Sequence, residues 1–237
     1  MTKELLPEWP IVQNWGFVLF LCCFFISTQL AGKGWRLFYS MQQDLFWQRY
    51  RSSIFFDSVD NEMIRKLLLV FQTVVLSSLF IYCVFYHSAA VPFGSVTQMF
   101  WLLGTASALI TAFFICKFIS NTLIGNIFFQ RDSVRLLNRN LLSVISLSGP
   151  VLFVPALLMF YVKEAYSVCY YFILAYFLLA EMLIVYKTYV IFFSDKRLLL
   201  YFILYLCAQE IVSLYLSYKA LVYLLIQLQK STLWLQM

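Results

Sequence analysis

The stretch "LLLYFILYLCAQEIVSLYL", Leu198 to Leu216, decides what kind of molecule this is. It is almost wholly apolar and aromatic, and at about 1.5 Å rise per residue it is long enough to cross a hydrocarbon core of roughly 30 Å. Yet Glu210 stands in its middle. A membrane helix is the natural home of such a run, and a carboxylate there needs a partner, a proton or a water path.

The rest of the chain agrees. Soluble domains are about half apolar and a quarter charged, whereas this sequence is 63% hydrophobic and 12% charged, with mean hydropathy +0.83. It therefore reads as an all-α integral membrane protein, one polytopic domain over residues 1–237. Six segments have the length and composition of a span: 15–31, 67–86, 98–118, 141–162, 168–193 and 198–226. The expected architecture is a bundle of six transmembrane helices with amphipathic interfacial helices on the cytoplasmic side. The amino terminus, "MTKELLPEWPIVQNW", lacks the basic start of a secretory signal peptide, so the first apolar run is expected to stay as a helix.

Lys and Arg are unevenly spread. Lys33, Arg36, Arg49, Arg51, Arg65 and Lys66 lie between the first two segments, Lys117, Arg131, Arg135 and Arg139 lie at or after the third, and Lys187, Lys196 and Arg197 gather at the fifth and sixth. The positive-inside rule puts these connections in the cytoplasm and both termini outside. The outer connections, "HSAAVPFGSVT" and "KEAYS", are too short to form a domain. The net charge of +6 thus follows from topology, and no stripe of cations with stacking aromatics points to nucleic acid.

Residues 32–66 form the largest expected cytoplasmic surface. Leu37, Phe38, Met41 and Leu45 recur at three- and four-residue steps, with Trp35, Arg36, Trp47, Arg49 and Arg51 beside them. That pattern suits a helix lying in the interface against anionic lipid, or one that docks a partner. "DSVDNEMIRK" reads as the start of the second membrane helix, with Asp57, Ser58 or Asp60 as its cap. "KFISNTLIGNIFF" is either a continuation of the third helix or a separate surface helix, and Pro150 and Pro155 are expected to kink the fourth.

Among the ionisable groups in apolar segments, Lys219 and Lys187 are placed to snorkel to opposite surfaces. Glu181 and Glu210 are different. Each is about fourteen residues from the turn "SDKR", so an antiparallel hairpin sets both roughly 20 Å from that turn. Two carboxylates in low dielectric do not both stay ionised cheaply. The expected network is Lys117, Glu181 and Glu210, with Lys117 as the cation if the third helix continues, and with Tyr186, Tyr205, Gln209 and Ser213 as candidate donors. It serves either as a structural tie or as a proton-linked site.

The sequence suggests no catalytic residues, no cofactor and no metal site. The lone histidine, His87, has no ligand spacing around it, the six cysteines fall in or beside apolar runs without a C-x-x-C pair, and no H-E-x-x-H, G-x-S-x-G or P-loop occurs. "FFQRDSVRLLNRN" reads as a cytoplasmic cap beside anionic headgroups.

Three stretches, "LYLCAQEIVSLYLSYKAL", "CKFISNTLIGNIF" and "WRLFYSMQQDLFWQRY", resemble a family of polytopic inner-membrane proteins of unknown function from Bacteroidota. Leu204, Tyr205, Cys207, Glu210, Ile211 and Lys219 match the motif of its last helix, while Val212 and Ser213 stand where a proline is commoner. The resemblance implies a bacterial inner membrane, no enzymatic activity, and membership of an envelope-biogenesis or protein-secretion complex with other inner-membrane proteins as partners. A proton- or solute-coupled transporter using Glu181, Glu210 and Lys117 is the alternative.

Overall fold

In the computed structural model the described residues are 14–28, 59–87, 96–128, 131–192 and the single positions 215, 218, 219, 222 and 223. They form helices α1 (Asn14–Thr28), α2 (Val59–His87), α3 (Val96–Phe128), α4 (Arg131–Tyr161) and α5 (Tyr166–Phe192), with one 3-10 turn, Lys163–Ala165, between the last two. Four of these contain stretches long and apolar enough to cross a membrane: Ile64–His87, Met99–Leu123, Val134–Tyr161 and Tyr166–Val190. The first expected segment is represented by the fifteen residues of α1, and of the sixth only the five single positions are described. The arm lies outside the described residues except for 59–66, which are the first two turns of α2.

The helices alternate in direction. Thr73 of α2 lies against Ile145 of α4, and Tyr82 lies against Phe160, so those two run parallel. Thr122 meets Asn138 and Ser148 meets Tyr176, so α3 and α5 both run antiparallel to α4. Consequently Arg65, Lys66, Arg135, Arg139 and Lys187 gather at one end of the bundle, the basic end.

The most extensive packing is α2 on α4, which the sequence prepares with small residues. A Cβ on Gly149 would stand 3.1 Å from both the Leu69 carbonyl oxygen and the Thr73 Oγ1, so only glycine allows this approach without adjustment. Pro150 deprives the Ser146 carbonyl of its helical amide donor. Next to it, the Thr73 hydroxyl lies 2.8 Å from the Ile145 carbonyl and 2.9 Å from its own Leu69 carbonyl, a neighbouring side chain serving the backbone around the proline. Helix α4 runs unbroken through both prolines.

The main apolar core lies in the half away from the basic end. Phe20, Tyr82, Met99, Leu102, Leu152, Met159, Phe160 and Ile173 are buried there, with Cys23, Cys83 and Cys169 among them as small apolar side chains. Rings meet edge-on, Phe20 with Phe160 at 5.8 Å and with Phe153 at 6.1 Å. A second, smaller cluster of Leu141, Val144, Ile145 and Ile184 lies toward the basic end.

One alternative left open by the sequence is settled and one expected boundary changes. Helix α3 continues to Phe128, so "ISNTLIGNIF" belongs to one long helix. Helix α4 starts at Arg131, ten residues before the expected Leu141, because Val134, Leu137, Leu141 and Val144 repeat at three and four residues and bury one face. Only residues 129 and 130 separate the two helices. At the start of α2, Asp60 stands inside the helix and is not its cap, while Asp57 and Ser58 lie outside the described residues.

Candidate functional site

Because α3 is continuous, Lys117 sits inside its span, roughly 9 Å from the Leu123 end at about 1.5 Å per residue. Glu181 is roughly 14 Å from the Val190 end of the α5 span on the same reckoning. Their side chains meet: Lys117 Nζ donates to Glu181 Oε2 at 2.7 Å. The lysine side chain is 1% exposed and the glutamate's 28%, so the cation is enclosed while the carboxylate keeps an open edge. Lys117 Nζ also stands 5.7 Å from the centre of the Phe113 ring.

Helices α3 and α5 each pack on α4 and make little direct contact with one another. The ion pair therefore ties two helices that backbone packing leaves apart. A charge in the apolar zone costs roughly 2.5–3.5 kcal/mol on insertion scales, and pairing within the bundle offsets that.

One turn further toward the basic end, a cleft opens between α3, α4 and α5, lined by Asn121, Asn140, Lys187 and Thr188 with Leu137, Leu141, Val144 and Ile184 as its apolar wall. Asn121 follows Lys117 by one helical turn, and Thr188 is on the same face of α5 as Glu181. The expectation that Lys187 snorkels outward is corrected here. It is 8% exposed and turned into the bundle, because α5 packs on α4 along the face that carries it. Tyr186, a candidate donor to the glutamates, points outward at 61% exposure.

A polar seam that the sequence reading did not single out runs between α1, α2, α4 and α5. Gln72, fully buried, donates from Nε2 to Ser27 Oγ at 2.8 Å. Tyr176 donates to Ser148 Oγ at 3.1 Å, and Ser148 donates to the Val144 carbonyl at 2.9 Å. Gln72 Oε1, Ser77 Oγ and Ser143 Oγ are buried and have no hydrogen-bond partner among the described residues. A glutamine within "LLLVFQTVV" was the available signal.

At the opposite end His87 closes α2 with its ring 3.9 Å from that of Tyr166, the first residue of α5. Lys219 is exposed and stands 5.6 Å from the Tyr215 ring. Glu210, Tyr205, Gln209 and Ser213 lie outside the described residues, as do Trp35, Arg36, Phe38, Met41, Leu45, Trp47, Arg49 and Arg51. Among the described residues no three His, Cys, Asp or Glu side chains gather as a metal ion would require.

The family model described as Domain of unknown function (DUF4271) matches residues 16–221, and the chain belongs to that family. No curated protein and no solved structure matches it.

Proposed function

We propose that this chain is a non-enzymatic, multi-pass subunit or assembly factor of a bacterial inner membrane, binding other membrane proteins in an envelope-biogenesis or protein-secretion complex. The observation that carries this reading is the contrast between how α3 and α5 are held and how little of them is used. About a fifth of each span is buried, 22% and 17%. Trp101, Tyr171, Phe172, Leu178 and Met182 face outward along them. The Lys117–Glu181 bond nevertheless fixes the two at one separation. A fixed pair of helices with broad faces of large side chains is a platform for other transmembrane helices, whose association in lipid depends on shape and packing. The secretion and envelope setting, and a topology with both termini in the periplasm, follow the resemblance and the charge asymmetry.

The test is to tag the carboxyl terminus at native expression, extract gently and identify stoichiometric companions by mass spectrometry. A defined set of envelope proteins is the expected result. Recovery of the chain alone or as a simple homo-oligomer overturns the reading. The transporter alternative is separated by Glu181→Gln: abolition of a pH-dependent flux with companions retained would favour it.

A further inference from the structure

We propose that a transmembrane helix of a partner protein lies along α5 beside the Lys117–Glu181 pair and donates a hydrogen bond to Glu181 Oε1 from a neutral side chain: a serine, threonine, asparagine, glutamine or tyrosine. The inference rests on the subunit reading and names the contact by which the partner is recognised. Lys117 bonds only Oε2 of the carboxylate, and Oε1 has no hydrogen-bond partner among the described residues. The glutamate side chain is 28% exposed against 1% for the lysine, so the pair opens outward on the acid's side. Leu174 and Leu178, seven and three residues before Glu181 and therefore on its face of α5, are exposed, as is Phe118 beside Lys117 on α3.

Depth decides what can meet that oxygen. Glu181 is roughly 14 Å from the Val190 end of its span and roughly 22 Å from the Tyr166 end, beyond the reach of headgroups. Acyl chains at that level carry no hydrogen-bond donor, and a carboxylate oxygen left against them is costly. Charge decides the kind of donor. Lys117 already supplies the countercharge, so a second cation would bring an excess charge into the apolar zone. A hydroxyl or amide N–H satisfies the oxygen and adds no charge, and such bonds between helices select partners in lipid.

The experiment puts a photoreactive residue in place of Leu178 in the tagged chain at native expression and maps the adducts by mass spectrometry. The expected adduct is with a transmembrane segment of a companion protein that carries one of these donors on the crosslinked turn. Replacing that donor by an apolar residue should lower recovery of the companion about fivefold with the intact chain and cause no further loss with the paired variant Lys117→Met, Glu181→Leu, as groups in direct contact require. Should the paired variant fail to fold, the crosslinked turn and the donor replacement decide. An adduct with residues 198–226 of the same chain, with a second copy or with lipid alone overturns the proposal, as does a crosslinked turn without a donor or an equal loss in both backgrounds. Companions recovered without a crosslink at Leu178 overturn this contact and leave the subunit reading standing, whereas a chain recovered alone removes both.

Discussion

The two halves of the bundle are held together by different means. Away from the basic end, Phe20, Phe153, Phe160 and Tyr82 interlock with Met99, Leu102 and Met159, and the contacts are those of shape. Toward the basic end the interior carries Lys117, Asn121, Gln72, Thr73, Ser146, Lys187 and Thr188, and the contacts are directional. In water the first kind would dominate through the hydrophobic effect. In lipid an apolar side chain gains little by turning inward, so rings contribute through close packing, while polar groups have nowhere else to go. The first half thus determines fit and the second determines which helix meets which.

The sharpest way to break this contrast is to remove one member of the ion pair. Glu181→Leu leaves Lys117 enclosed without its carboxylate and is expected to lower stability by about 3 kcal/mol, read from thermal unfolding in lipid nanodiscs. Lys117→Met with Glu181→Leu together should recover most of the loss. Should the single and double variants be equally stable, the pair does not hold α3 to α5.

Phe160→Ala tests the other half. It opens a void between α1, α2 and α4, and a loss of about 2–3 kcal/mol is expected in the same measurement, below the usual range for a large aromatic because lipid is a milder reference than water. Gly149→Ala follows, at about 1–2 kcal/mol, since the Leu69 carbonyl it would press on is backbone and yields poorly. Gly16→Ala is a companion case, in which the added methyl would overlap the Phe160 ring, so that buried ring must shift within the aromatic core. The smallest effect is predicted for Gln72→Leu, within about 0.6 kcal/mol, because one hydrogen bond to Ser27 is lost while the buried Gln72 Oε1 is removed as well. A large loss there would show the seam to be more than a register device.

Four of the expected spans were legible because hydropathy over about 20 residues is a one-dimensional property. Lys117 was legible as a cation for an intramembrane carboxylate on the condition that the third helix continues, which it does, but which carboxylate it meets was not: residue count placed only Glu181 and Glu210 relative to their turn. What resisted was rotation. Helix α5 is apolar all round, so nothing in its pattern says which side faces α4, and Lys187 was assigned to the surface when it lies inside. The same uniformity led Tyr186 to be counted among inward donors. Helix α4 was shortened for the opposite reason, as "RDSVRLLNRN" is polar enough to read as a connection although its apolar residues keep helical spacing. The polar seam was hidden because a serine or glutamine in an apolar run states that a partner is needed and not where it comes from.

The separation of Lys117 from Glu181 along the chain has a consequence for biosynthesis. Sixty-four residues lie from one to the other, and at roughly 5–20 residues per second the ribosome takes several seconds to make them. For that interval the lysine has left the exit tunnel and its acid has not. The helix bearing it is joined to the next by two residues, so α3 and α4 are both synthesised before the acid that pairs with the lysine. Birth order thus leaves Lys117 without the Glu181 carboxylate until α5 is made, and a chain truncated before Glu181 is expected to react more readily at that lysine with water-soluble amine reagents.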